Sequence, residues 1–285
     1  MDTGLNNEQM LTLFLSKIKL NGFSLNTQKG YKFEILTFFK DVNKNWYEVN
    51  FDDLELYFSG LMDTKKKRTV ARRMAAIKGF YKYIEERYDD FKNPTKRLHS
   101  PKLDKRLPKY LTPNEVELIL SQAKSLRNRT VITILWVTGM RINELFKLNK
   151  EDINFDTKSV KVFGKGSKER ITYFNDAAAE LLKQYLASRA DDNPALFVER
   201  GNRRLSERTI QKFVSKYGKL SGINKHVTPH AFRHSYATQL IRNHVPLEII
   251  QRSMGHSQLT TTLIYANLDD QSIVDAYRSV FDKKE

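Results

Sequence analysis

The chain has 285 residues, 40% of them hydrophobic and 29% charged, with 49 Lys and Arg against 33 Asp and Glu, a formal net charge of +16. That length suggests two domains at about 150 residues each, and such an excess of positive charge points to a polyanionic partner, nucleic acid first. With no cysteine, disulfides and thiolate metal sites are excluded. The opening "MDTGLNNEQM" lacks the basic and apolar regions of a secretory signal, and the longest apolar run, "VITILWV", is too short to span a bilayer. A cytoplasmic protein facing nucleic acid, not a membrane, is expected.

Residues 1–92 read as a helical domain. "NEQMLTLFLSKIKL" has apolar positions at helical spacing, "SLNTQKGYKFEILTFFKDV" follows with Ser24 as N-cap, and "NFDDLELYFSGL" is a short third helix. "TKKKRTVARRMAAIKGFYKYIEERY" is a long fourth, with Val70, Met74, Ile77, Tyr81 and Ile84 on one face. Lys65, Arg68 and Arg72 fall on the opposite face. That stripe reads either as an ordinary solvated surface or as a DNA-phosphate contact, and the charge of the whole chain favours DNA.

Residues 93–110 contain Pro94, Pro101 and Pro108 among many Lys and Arg. Proline at that density resists a helix, so this stretch reads as an extended basic linker. Residues 111–285 form the second domain. Helices are expected at 113–126, 128–139, 176–189, 207–219, 230–243 and 246–254. "SVKVFGKGSKERITYF" alternates apolar and polar residues about a Gly-Lys-Gly-Ser turn, the pattern of a β-hairpin with a basic tip. "DDQSIVDAYRSVF" spaces Ile273, Val274, Tyr277, Val280 and Phe281 as a C-terminal helix, which either folds back on its own domain or is given to a neighbouring protomer.

Four places carry side chains with chemical potential. "VTGMRINEL" puts Arg141 after a glycine at the end of an apolar helix; the plain alternative is an Arg141–Glu144 i,i+3 pair, worth only about 0.2–0.5 kcal/mol. "VFGKGSKER" puts Lys165 at the hairpin tip, where a solvated lysine is the ordinary reading. "TPHAFRHSYAT" starts a helix at Thr228-Pro229, a favourable N-cap and first-turn pair, and sets His230 and Arg233 one turn apart on one face. "MGHSQLTTTLIYANL" holds His256 and Tyr265, and a tyrosine beside Leu263 and Ile264 is either core or nucleophile.

These types together suit phosphodiester chemistry. Attack at phosphorus puts negative charge on non-bridging oxygens, which arginines bind bidentately. A leaving alkoxide needs a proton donor such as lysine or histidine. A nucleophile that stays attached keeps the bond energy in a covalent intermediate. A two-metal mechanism needs clustered carboxylates, and none appear. His226, His230 and His234 are spaced four apart, but Pro229 starts its helix after His226 and no HExxH is present. No metal and no cofactor are expected.

In this order, "TGMRINEL", "FGKGSKER", "TPHAFRHSYAT" and "GHSQLTTTLIYANL" resemble the four boxes of the tyrosine recombinase (phage-integrase-like) family, and "SPKLDKRLPKYLTPNEV" resembles the linker of its Xer-type site-specific recombinases. The resemblance covers nearly the whole chain. All six active-site positions hold the family's residue type; Met254 and the "RNHV" turn around His244 are less usual.

The resemblance implies a mainly α fold. It would comprise an N-terminal four-helix core-binding (SAM-like) domain and a mostly helical tyrosine recombinase catalytic domain with a small antiparallel β-sheet. It implies that Tyr265 attacks the scissile phosphate to give a 3′-phosphotyrosyl link and a free 5′-hydroxyl. Arg141 and Arg233 would hold the non-bridging oxygens, Lys165 protonate the leaving 5′-oxygen, His230 assist proton transfer from the tyrosine, and His256 donate to the phosphate. Two double-stranded DNA sites would exchange strands within a homotetramer, assembled from dimers or monomers, without metal or ATP. The implied role is resolution of chromosome dimers at a dif-like site, and the composition suits a single recombinase of the archaeal kind. The alternatives are an integrase of a mobile element, type IB topoisomerase-like DNA relaxation, and an architectural DNA-binding protein without catalysis.

Overall fold

The computed structural model describes residues 4–103, 110–164 and 169–255. The chain divides into two compact units, Met1–Lys105 and Arg106–Glu285.

The first unit is built on four helices, α1 (Asn7–Leu20), α2 (Leu25–Val42), α3 (Phe51–Thr64) and α4 (Lys67–Arg87). Three starts are capped by short polar side chains. Asn6 and Asn50 form reciprocal boxes with Gln9 and Asp53, and Ser24 accepts from the backbone of Thr27 as the sequence predicts. The expected apolar stripe of α4 is the core face: Val70, Met74, Ile77, Tyr81 and Ile84 are all buried, with Phe38, Phe80 and Trp46 packed beside them. The polar tips are satisfied, since Trp46 Nε1 donates to the carbonyl of Leu5 at 2.9 Å and Tyr81 Oη to that of Trp46 at 3.1 Å. Each fully buried large apolar side chain contributes on the order of 1.5–3 kcal/mol.

A buried ion pair, Glu34 with Arg73, sits in this unit. Glu34 accepts from Arg73 Nε and Arg72 Nη2, each at 2.5 Å, and Arg73 Nη1 also donates to Tyr57 Oη at 2.7 Å. Burial drives the Tyr57 phenol up to about 12 against the opposing pull of Arg73. Residues 93–98 pack on the same unit. Lys96 pairs with Glu85 at 2.5 Å, Lys78 donates to the carbonyl of Leu98 at 2.9 Å, and Leu98 is buried.

The second unit contains α5 (Pro113–Gln122), α6 (Leu126–Thr138), α7 (Ile142–Lys147), a 3-10 turn at Lys150–Asp152, β1 (Ile153–Asn154), β2 (Ser159–Phe163) and β3 (Glu169–Tyr173). It continues with α8 (Asp176–Ala187), the short pair β4 (Val198–Glu199) and β5 (Arg203–Arg204), then α9 (Glu207–Leu220), α10 (Pro229–Arg242) and α11 (Leu247–Met254). The expected hairpin is present, with Val160 opposite Thr172 and Val162 opposite Arg170, and β1 adds an antiparallel edge to β2. Val160, Val162 and Thr172 face inward while Lys161, Ile171 and Tyr173 are exposed, the period-2 alternation of a sheet with one covered face. Helix α6 is the centre of this unit. Val131, Ile132, Ile134 and Leu135 have no exposed surface, and α8 and α10 pack against the helix. From Val131 onward the helix is apolar on nearly every side, the pattern of an enclosed segment.

Three readings of the sequence are corrected here. Helix α5 stops at Gln122, not 126, and α6 starts at Leu126 behind Ser125. Residues 142–147 form a separate helix, because Gly139 ends α6 in the left-handed region at φ +58° and turns the chain. Lys65 is the C-cap of α3 and precedes α4, so it does not share a helical face with Arg68 and Arg72. Among the described residues, no helix is long and apolar enough to cross a membrane. The expected C-terminal helix lies outside the described residues.

Candidate active site

The start of α10 is set by its sequence. Thr228 is extended and its side chain accepts from the Ala231 backbone at 3.1 Å, while Pro229 occupies the first turn, where its missing N–H costs nothing. This start places His230 in the first turn and Arg233 three residues, about one turn, later.

Arg233 is 3% exposed. Its Nη1 donates to the carbonyl of Gly139 at 2.7 Å and its Nη2 to that of Met254 at 2.6 Å. A guanidinium held on two backbone oxygens is fixed before any substrate arrives, which is the condition for stabilising developing charge. Arg141 stands at the N-cap of α7, two residues beyond Gly139. Its Nη1 donates to Glu144 Oε1 at 2.9 Å and its Nη2 lies 3.4 Å from the carbonyl of Gly255. Its side chain remains 37% exposed, available to a phosphate.

His230 is exposed as a residue. Partial burial of its ring nonetheless lowers its pKa below the ordinary imidazole value, and the charges of Arg233 and then Arg141 lower it further. Both effects favour the neutral imidazole, the form that accepts a proton. Its ring meets that of His234 edge-on, with centroids 4.1 Å apart. Arg141, His230 and Arg233, spread over 93 positions of sequence, thus meet at one place on the second unit. Lys165, His256 and Tyr265 lie outside the described residues.

Two residues in this site escaped the sequence reading. Glu144 is 2% exposed, so its contact with Arg141 is no surface pair. It accepts from Arg170 at both oxygens, 2.7 Å from Nη1 and 2.9 Å from Nη2, and from the Arg141 backbone at 2.7 Å. Burial pushes this carboxyl up, but Arg170 foremost and then Arg141 outweigh it, and the pKa ends below the ordinary carboxylate range. Arg170 lies in the quoted hairpin motif. No local pattern shows that it faces a helix 26 residues earlier in the chain.

The basic surfaces differ in character. Lys65 and Arg68 are exposed, whereas Arg72, also exposed, is tied to Glu34. On the second unit, Arg208, Gln211, Lys212, Ser215, Lys216 and Lys219 line one shallow groove of about 690 Å³ along α9. The i, i+4, i+8 spacing of Arg208, Lys212 and Lys216, opposite buried Ile210, Phe213, Val214 and Tyr217, was legible in the sequence as an amphipathic basic helix. Among the described residues, no group of three or more metal-ligating side chains forms a candidate metal site.

Known proteins resemble this chain in sequence and in fold. Residues 109–272 match the phage integrase family, and residues 10–89 match the phage integrase N-terminal SAM-like domain. A tyrosine recombinase XerC of Chlamydia caviae is 37% identical over 228 residues, 76% of this chain and 73% of that protein. A tyrosine recombinase XerA of Pyrococcus horikoshii is 34% identical over 275 residues, 95% of this chain and 93% of the relative. In fold, the crystal structure of the XerH site-specific recombinase bound to palindromic difH substrate, a post-cleavage complex, superimposes with a TM-score of 0.76. It does so at 24% identity, over 95% of this chain and 84% of that one. A family match over more than half of the chain, joined to relatives above 30% identity along three quarters of it or more, establishes that this protein belongs to the phage integrase family as a Xer-type tyrosine recombinase, an enzyme class that cleaves and rejoins DNA.

Proposed function

We propose that this site-specific recombinase resolves chromosome dimers at a dif-like site in the cytoplasm, acting as a homotetramer on two double-stranded DNA sites. The observation that carries the chemical reading is the meeting of Arg141, Arg233 and His230 at one place.

In this reading Tyr265 Oη attacks the scissile phosphorus. An unperturbed phenol, pKa about 10, is a weak nucleophile at pH 7, so His230 takes its proton as the bond forms. Arg141 and Arg233 hold the two non-bridging oxygens and His256 donates a further hydrogen bond to them. The P–O5′ bond breaks and Lys165 protonates the departing 5′-oxygen. The phosphodiester is conserved as a 3′-phosphotyrosyl link, so a 5′-hydroxyl from the second site reverses the same steps without ATP. The groove along α9, with Lys65 and Arg68 on the first unit, supplies phosphate contacts that hold the duplex. The stretch 93–110 joins the DNA-binding domain, 1–92, to the catalytic domain, 111–285.

The test is covalent trapping. The protein is incubated without metal with a pool of nicked suicide duplexes cut from its own host's chromosome, then denatured, and the trapped DNA is sequenced. A denaturant-stable adduct in wild type, absent in Tyr265→Phe although that variant still binds, is the expected result. Trapped sequences that fall in a mobile element would replace the dimer-resolution role. An adduct in Tyr265→Phe would remove that tyrosine as nucleophile.

A further inference from the structure

Three consecutive carbonyls close α11, and each accepts from an arginine on a different element. Ser253 accepts from Arg170 Nε on β3 at 3.0 Å, and Met254 from Arg233 on α10 at 2.6 Å. Gly255 lies 3.4 Å from Arg141 Nη2 at the start of α7. Helix C-terminal carbonyls are orphan acceptors at the negative end of the dipole, so cations gather there. Two of these arginines are the candidate phosphate ligands. The third, Arg170, is only 10% exposed in its side chain and points its other two nitrogens at Glu144.

We propose that Arg170 is a positioning residue for DNA cleavage. It clamps the Glu144 carboxylate that orients Arg141, and it anchors the end of α11 from which the chain runs on to His256 and Tyr265. The proposal rests on the recombinase reading above.

Four observations carry it. All three side-chain nitrogens of Arg170 are committed, two to Glu144 and one to Ser253. The bidentate pair with a buried carboxylate has one orientation, so it fixes both partners. Glu144 spends its remaining capacity on Arg141, through both the Arg141 backbone and its side chain, so any shift of the carboxylate moves Arg141. Gly255 lets the end of α11 approach Arg170 closely. It sits at φ +61°, and a Cβ there would lie 3.0 Å from Arg170 Cδ and 3.3 Å from Nε. Arg170 therefore ties the catalytic hairpin strand, the Arg141 turn and the α11 terminus into one body, and it needs no contact with DNA.

Among the described residues, the charged groups facing Glu144 are Arg170 from β3 and Arg141 from its own helix start; α11 presents carbonyls to Arg170. Removing Arg170 leaves Glu144 buried with one cation fewer, so its carboxyl titrates at higher pH and, once protonated, releases Arg141.

The experiment compares wild type, Arg170→Gln, Arg170→Lys, Glu144→Gln and the double Glu144→Gln/Arg170→Gln variant in single-turnover cleavage of the trapped duplex. DNA affinity, thermal melting and a pH profile are recorded for each. Arg170→Gln is expected to cleave about 10²-fold more slowly, the loss typical of a misplacement near 1 Å, with affinity within about threefold. Its rate should fall on the acid side of the wild-type profile, and that limb should vanish in the double variant. The double variant should be no slower than the slower single. Arg170→Lys, which keeps the charge and loses the fork, should recover part of the rate.

Wild-type cleavage by Arg170→Gln, or losses that simply multiply in the double variant, would overturn the proposal. A wild type that forms no adduct overturns the recombinase reading instead. The Glu144 carboxyl titration followed by NMR in the DNA-free protein then decides the clamp separately, since an unchanged midpoint in Arg170→Gln defeats it.

Discussion

Arg233 Nη1 donates to the carbonyl of Gly139 at 2.7 Å, across 94 positions of sequence. Gly139 can present that carbonyl because it has no side chain. Its φ is +58°, and a Cβ there would lie 2.2 Å from Cδ1 of the Tyr236 ring. Gly139→Ala therefore meets both left-handed strain and overpacking, about 2–4 kcal/mol together, a fall in Tm of roughly 5–15 °C. Thermal melting checks the fall, and cleavage measured well below the new Tm should still be reduced because the Arg233 acceptor has moved.

Arg141 and Arg233 should separate binding from chemistry in different ways. Arg141→Ala is expected to lower single-turnover cleavage about 10²–10³-fold while affinity for the duplex changes little, since its side chain is partly exposed and acts where charge develops. Arg233→Ala should lose as much rate and also melt earlier, because it strips a buried cation from two backbone acceptors. Equal losses of rate and affinity for Arg141→Ala would mark it as a simple phosphate contact.

His230 gives a signed pH prediction. Its folded pKa lies below the ordinary value of 6.5, through burial first and then Arg233 and Arg141. The folded state thus binds fewer protons than the unfolded one. The stability contribution is present above the unfolded value and is lost as pH falls through it toward the folded pKa. An NMR titration of the imidazole should give a midpoint below 6.5, and Arg141→Gln should raise it. A midpoint unmoved by Arg141→Gln would show that the two charges do not share a site.

Thr228 tests how far the helix start controls the site. Thr228→Ala removes the side-chain acceptor for the Ala231 backbone and should cost about 1 kcal/mol. Thr228→Ser should restore most of it. Denaturant melts give the energies, and the parallel recovery of cleavage in the serine variant would tie the cap to the placement of His230 and Arg233.

Salt dependence should sort the basic surfaces. Each phosphate contact adds about 0.9 to the slope of log affinity against log salt. Lys212→Ala and Lys216→Ala on the α9 groove, and Arg68→Ala on α4, should each lower that slope measurably. Arg72→Ala should lower it less, because Arg72 is already paired with Glu34. An unchanged slope for both α9 variants would remove that groove from the DNA interface.

By itself the sequence determined most local structure and the chemical vocabulary. The α4 stripe, the Ser24 and Thr228 caps and the hairpin alternation all follow from contacts within a few residues, where period and cap chemistry act directly. The motifs naming Arg141, His230 and Arg233 were legible for the same reason, each being short and self-contained. The short helix α7 was not: Gly139 marks the end of α6 locally, but the six residues Ile142–Lys147 are too few to show a helical period. The standing of Glu144 was a tertiary decision. At i, i+3 from Arg141 it reads as a weak pair, and only burial beside Arg170 makes it a fixed carboxylate. Arg170, Arg233 and Arg141 converge on the end of α11 because the sheet, α10 and α7 fold around it. Long-range burial sets those charges, and a one-dimensional pattern carries no information about which distant carbonyl an arginine will meet.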